Sequence, residues 1–385
     1  MRRRNFLRVT VVGATAAAFG GASWREAFAA TAQPGPSPYG ELLAADANNV
    51  MLPAGFGSRV VARTGSRVAG TGYLWHPAPD GGACFADGSG WIYTSNSEVP
   101  LVGGCSAIRF DATGQITGAY RTLSGTNVNC AGGATPWQTW LSCEEVEWGR
   151  VFETDPFGAN GATARSAMGR FKHEACAADP DHGFVYMTED VSDGCFYRFA
   201  PATWGNLASG TLEVLCGANE ATSGPVTWRR VPDPDGFPVV TRNQVSGAKR
   251  FNGGEGCYYA GGTCWFTTKG DNRVWAYNAA TSTIDLAYDD SLVIGTPPLT
   301  GVDNVTGTAG GDLFVAEDGG DMEICIITRD GVVAPFLRVL GQGGSEITGP
   351  AFSPDGSRLY FSSQRGTTGN VLGGITYEIT GPFRT

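Results

Sequence analysis

Short runs of aromatic and β-branched residues recur along the chain, most of them entered through a Gly or Asp turn. They read Gly90-Trp91-Ile92-Tyr93-Thr94, Gly183-Phe184-Val185-Tyr186-Met187, Thr263-Cys264-Trp265-Phe266-Thr267, Asp312-Leu313-Phe314-Val315-Ala316 and Arg358-Leu359-Tyr360-Phe361-Ser362. Runs this short, bounded by turn formers, predict strands rather than helices. Partner strands follow at Cys195-Phe196-Tyr197-Arg198-Phe199 and Arg273-Val274-Trp275-Ala276-Tyr277. Measured from Trp91, Phe184, Trp265, Phe314 and Tyr360, the gaps are 93, 81, 49 and 46 residues. Propeller blades of ~40–60 residues give such spacing, each wide gap holding one more blade.

The expected fold is therefore all-β, a single β-propeller of six blades over residues 48–385. Six blades in 385 residues less a 29-residue leader leave ~59 residues per blade. Seven blades would also fit, whereas two β-sandwiches would need a Pro/Ser-rich linker that the sequence lacks. Residues 30–47 read as an extended leader, and residues 217–246, rich in Pro, Thr and Asp, as a long insertion.

Composition narrows this further. Glycine and proline make up one residue in five, hydrophobic residues 42% and charged residues 17%. That excludes a helical bundle and leaves enough apolar residues for a large core. The net charge is −10; residues 1–29 carry five arginines and one glutamate, so the rest of the chain is at −14. Such a surface repels nucleic acid and anionic lipid and suits divalent cations.

The first 29 residues have a basic start, a weakly apolar stretch from Val9 to Ala22 and a small-x-small site at Ala27-Phe28-Ala29. Arg3-Arg4-Asn5-Phe6-Leu7 matches the twin-arginine export pattern. The expectation is a secreted or periplasmic protein with no stable membrane insertion after cleavage, and a monomer. Ten cysteines in an exported chain point first to disulfides. Cys257–Cys264, Cys84–Cys105 and Cys176–Cys195 each span about one hairpin, and Cys130 could pair with Cys143.

Candidate chemistry is concentrated in acids near strand ends. They are Glu98, the pairs Glu144/Glu145, Glu189/Asp190 and Glu317/Asp318, and Glu174, Glu255, Asp303 and Glu346. The inner strands of a propeller converge, so such acids would form a ring. Crowded like charges raise one another's pKa unless cations intervene. Oxygen-rich ligand sets suit calcium, or iron and manganese. With three histidines and no Gly-x-Ser-x-Gly or Rossmann fingerprint, histidine-based, serine-hydrolase and dinucleotide chemistry are disfavoured.

Several of these segments together resemble a known family. Asn129-Cys130-Ala131-Gly132-Gly133-Ala134-Thr135-Pro136-Trp137, Trp140-Leu141-Ser142-Cys143-Glu144-Glu145, Gly169-Arg170-Phe171-Lys172-His173-Glu174 and Val185-Tyr186-Met187-Thr188-Glu189-Asp190 are similar to motifs of PhoX-type alkaline phosphatases. Asp303-Asn304, Glu317-Asp318-Gly319 and Glu346-Ile347-Thr348-Gly349-Pro350 follow in family order.

The resemblance implies a six-bladed propeller that hydrolyses small-molecule phosphoesters outside the cytoplasm. It implies an iron pair with calcium, held by carboxylates and a cysteine thiolate. Carried over by motif position, the metal ligands are Cys130, Glu144, Glu174, Glu189, Glu255, Asp303, Glu317 and Glu346, with Cys130, Glu144 and Arg250 as catalytic candidates. The chain departs from the family at two phosphate-contact positions. The family's Arg-Pro-Glu-Gly reads Gly253-Gly254-Glu255-Gly256, which leaves Arg250 as the nearest arginine, and Val146 replaces an asparagine. A calcium-dependent lactonase-type hydrolase and a non-catalytic, metal-stabilised binding module are the competing readings.

Overall fold

The structure is a computed structural model that describes residues 31–384. The candidate export signal, residues 1–29, lies outside the described residues. Among the described residues every regular element is a strand or a three-residue 3-10 turn. None of them is a helix long and apolar enough to cross a membrane.

Six antiparallel sheets follow one another in sequence order, each with its first strand innermost. Blade I is built from Pro79–Asp87, Gly90–Ser97, Gly103–Phe110 and Ile116–Thr126. The inner strands of blades II to VI are Asn129–Ala134, His173–Asp179, Gly254–Ala260, Val302–Gly307 and Ile347–Phe352. The C-terminal segment supplies only three strands of blade VI. Gly57–Arg63 completes it, pairing antiparallel with Ile375–Thr380 and so fastening the two ends of the ring together. Gln33–Pro34 adds to the outer edge of blade V, and Ala32 is fully buried. Within the 217–246 insertion, Gly224–Pro225 extends blade IV and Thr227–Arg230 extends blade III.

The core lies between blades. Tyr93, Ile108 and Tyr360 join blades VI and I, and Phe85, Leu123 and Trp140 join I and II. Leu141, Met187 and Tyr197 join II and III, Tyr186, Phe266 and Trp275 join III and IV, Trp265 and Val315 join IV and V, and Phe336 and Phe361 join V and VI. Because the second strand of each blade is packed on both faces, it reads as a continuous apolar run instead of an alternating one. This is the aromatic repeat visible in the sequence.

The inner strands approach so closely that some positions admit no side chain. A Cβ on Gly81 would lie 2.4 Å from Ala131 Cα of the next blade, and one on Gly256 2.5 Å from Val305 N. Glycine there lets six strands converge on one axis.

Candidate metal centre

One local geometry is repeated around the axis. In every blade the first residue of the inner strand pairs with the last residue of the second strand: Pro79 with Ser97, Asn129 with Glu144, His173 with Glu189, Gly254 with Thr268, Val302 with Glu317 and Ile347 with Ser363. A register shift follows in each. Such bulges bend a strand and re-aim its side chains.

Two sets of equivalent positions result. The second residues of the inner strands are Asp80, Cys130, Glu174, Glu255, Asp303 and Thr348. The residues just beyond the second strands are Glu98, Glu145, Asp190, Lys269, Asp318 and Gln364. Both sets gather at the same end of the central channel, together with Glu346.

Their ligand atoms are close. Within 4.8 Å of one another lie those of Asp80, Glu98 and Cys130, those of Cys130, Glu145 and Glu174, and those of Glu174, Glu255 and Asp303. Cys130 and Glu174 are each shared by two clusters, so the three form one connected arc. Cys130 Sγ donates to Glu174 Oε1 at 3.1 Å, while the other Glu174 oxygen is buried with no hydrogen-bond partner. A bare carboxylate oxygen turned into a crowd of acids is costly unless something positive meets it. Oxygen donors with one thiolate fit hard cations plus one metal tolerant of sulfur.

The electrostatics agree. Burial, then Glu255 and Glu145, raise Glu174 well above the ordinary carboxylate range. Burial and then Glu98 do the same for Asp80, and burial and Glu255 for Asp303. Glu145 is pushed up to about 9 by burial and its neighbour Asp190. Burial, then Asp80 and Glu174, push the Cys130 thiol up, so without a cation it is a protonated thiol rather than a nucleophile. On the rim, cations from the chain intervene. Lys172 Nζ lies 2.8 Å from both Glu145 and Asp190. Lys269 Nζ lies 2.8 Å from Glu255 and 3.2 Å from Asp318. Arg365 lies 2.8 Å from Glu346.

The sequence-predicted residues divide cleanly. Cys130, Glu174, Glu255, Asp303 and Glu346 converge on the channel. Glu144, Glu189 and Glu317 do not. Glu144 accepts the backbone N–H groups of Asn127 and Arg150, Glu189 accepts from Cys195 N, Tyr197 Oη and Arg242, and Glu317 accepts from Thr300 N and Glu323 N. Each holds its own loop. Successive strand residues face opposite ways, so the next residue in each blade, Glu145, Asp190 or Asp318, is the one that reaches the channel. Arg250 also points elsewhere, donating to Asp193 O and Asn243 Oδ1.

Asp80, Lys172 and Lys269 escaped sequence reasoning altogether. Aligning the strand ends of the six blades would have found Asp80 and Lys269. His76 and His173 are buried and held down to about 3 by that burial, which keeps them out of acid–base work at neutral pH.

The expected disulfides are not formed: all ten cysteines are free. Cys257 and Cys264 face each other with sulfurs 3.4 Å apart, and Cys143 faces Cys176 at the same distance. Cys130 and Cys195 instead meet Glu174 and Arg250. Cys257 and Cys264 meet across one hairpin, as their spacing suggests, whereas Cys143 and Cys176 meet between neighbouring blades.

Comparison with known proteins gives a consistent picture. The family described as Alkaline phosphatase PhoX matches residues 90–287, about half of the chain. No curated protein matches by sequence. Among solved structures, Pseudomonas fluorescens PhoX in complex with vanadate, a transition state analogue, superposes with a TM-score of 0.72 at 18% identity, covering 91% of this chain and 98% of that one. A Bacteroides thetaiotaomicron protein of unknown function superposes with a TM-score of 0.52 at 9% identity, covering 84% of this chain and 76% of that one.

Proposed function

The chain belongs to the alkaline phosphatase PhoX family and is a phosphoester hydrolase, and from that premise we propose that it is an exported, metal-dependent phosphomonoesterase whose chemistry sits on the connected acid arc. The observation that carries this reading is the arc itself, with Cys130 and Glu174 each shared between clusters and one Glu174 oxygen bare.

Asp80, Glu98, Cys130, Glu145, Glu174, Glu255 and Asp303 are the residues that would hold calcium and iron, with Cys130 as the sulfur ligand to iron. Bound there, the cations would neutralise the phosphoryl charge and polarise its oxygens. The protein's own residues do the rest. The bulged inner strands fix the donors rigidly. Lys172 and Lys269, on the rim, offer ammonium groups to phosphate oxygens. Gly253 has φ +70°, and a Cβ there would meet Asp190 Oδ1 at 3.2 Å and Gly270 N at 3.4 Å. The left-handed backbone favours glycine, so an arginine at this position would be strained. A flexible lysine replaces a bidentate guanidinium, which favours charge over fixed geometry. The twin-arginine motif supports export after folding.

The test is metal content of protein exported by its own signal, measured together with turnover of a chromogenic phosphomonoester. Iron and calcium with turnover are expected, and Cys130→Ser should lose iron while retaining calcium. Calcium alone, with no phosphomonoester turnover, would refute the proposal and return the lactonase and binding-module readings.

A further inference from the structure

A cavity of about 240 Å³ lies beside the arc, with Lys172 in its lining. Its apolar lining is Trp148, Phe171, Val191 and Val240, and its charged lining is Arg170, Lys172 and Arg242 with one acid, Glu147. Lys172 joins it to the arc, because this lining residue carries its ammonium to Glu145 and Asp190, each at 2.8 Å. A phosphoryl group over the rim therefore has this cavity as the adjoining space for whatever it is esterified to.

Three observations define what would fit. First, size: an apolar cavity of about 150 Å³ holds one benzene, so this one takes a substituted phenyl ring. Second, Trp148 and Phe171 give the cavity an aromatic side, and Trp148 is fixed in place. Trp148 remains 39% exposed at the opening. It is held in a left-handed backbone conformation, φ 58°, with its indole N–H on Gly236 O at 3.2 Å. A bulky residue kept in that conformation at a surface opening is held there by its surroundings. The 231–246 segment contributes Val240 and Arg242 to the lining. Third, Arg170 spends only its Nε, on Trp148 O at 3.2 Å, and its terminal nitrogens make no hydrogen bond to protein among the described residues. Arg242 is committed to Glu189 and Asp193, so Arg170 is the available fork for a carboxylate or similar anion.

We propose that this cavity is the leaving-group site and that it selects phosphomonoesters of aromatic alcohols bearing a distal acidic group, the ring against Trp148 and Phe171 and the anion on Arg170. The proposal rests on the phosphatase reading above. It concerns binding only, so it can be tested with phosphonates, whose C–P bond is not hydrolysed.

The experiment is calorimetric titration of the metal-loaded, full-length mature protein with methylphosphonate, benzylphosphonate, 4-carboxybenzylphosphonate and inorganic phosphate. The expected affinity order is carboxybenzyl over benzyl over methyl, with about tenfold between benzyl and methyl for a buried ring. Trp148→Ala should collapse the benzyl-to-methyl ratio towards one, and Trp148→Phe should restore most of it. Arg170→Gln should collapse the carboxybenzyl-to-benzyl ratio alone. Equal affinities for the three phosphonates, or ratios unmoved by these substitutions, would overturn the pocket while phosphate still binds. Failure of phosphate and all phosphonates to bind would overturn the phosphatase reading beneath it.

Discussion

Replacing Glu174 by Gln should make the metal-free protein more stable and cut sharply what metal binding adds. Glu174 is fully buried, one oxygen takes the Cys130 thiol at 3.1 Å, and the other has no partner. The amide keeps the first contact and turns a donor towards Glu255 and Asp303, whose ligand atoms lie within 4.8 Å. Relieving one unsatisfied buried polar atom is worth about 1–3 kcal/mol. With an unfolding entropy of about 2.1 cal/mol/K per residue, a folded body of ~350 residues shifts by about 1.4 °C per kcal/mol, so the gain is about 1–4 °C.

Calcium at a hundredfold excess over its Kd stabilises the wild type by about 2.7 kcal/mol; a hundredfold weaker variant keeps about 0.4 kcal/mol. Adding metal therefore moves the balance towards the wild type by about 2.3 kcal/mol, inverting the order wherever the metal-free gain is smaller than that. Scanning calorimetry of chelator-dialysed protein, with and without calcium, reads both halves. A variant that melts lower than wild type without metal, and gains as much from calcium, would show Glu174 to be an ordinary structural carboxylate and the arc no metal site.

The alternation within the acid pairs gives a second contrast: Glu145→Gln should lower bound metal several-fold by elemental analysis, whereas Glu144→Gln should cost about 1–2 kcal/mol of stability by loosening the loop it caps and leave metal content unchanged. The pH dependence of the metal-free protein has a definite sign. Burial pushes Glu255 to about 8, against the pull of Lys269, and Glu145 to about 9, both from 4.5, so the folded state holds these protons more tightly than the unfolded one. Their contribution is fully present below about pH 4.5 and is lost as pH rises through about 8 to 9. Melting temperature in chelator should therefore fall between pH 5 and 9, and added calcium should flatten the slope; a rise over that interval would refute the crowded-acid account.

Much of this was written in the chain order. The aromatic runs marked the second strands, because those strands are buried on both faces and need bulk at every position. Their spacing was enough for six blades, and the acids after them announced a charged channel mouth. Cys130, Glu174, Glu255, Asp303 and Glu346 could be named from their motifs because each sits in or beside an inner strand that only the fold's axis can receive. What the chain order could not decide was facing. Glu144 and Glu145 are equally acidic neighbours, and only the strand pairing and the bulge after Asn129 determine that one caps a loop while the other meets Cys130. The same holds for Glu189 with Asp190 and Glu317 with Asp318. Arg250 looked near the site along the chain, yet its guanidinium is drawn to Asp193 and Asn243. Asp80, Lys172 and Lys269 come from blades far apart in sequence, and only closure of the ring by Gly57–Arg63 brings them to one mouth. Local sequence fixes which segments become strands, since that depends on near neighbours and burial. The direction of each side chain depends on register and on the convergence of six blades, which are properties of the closed ring.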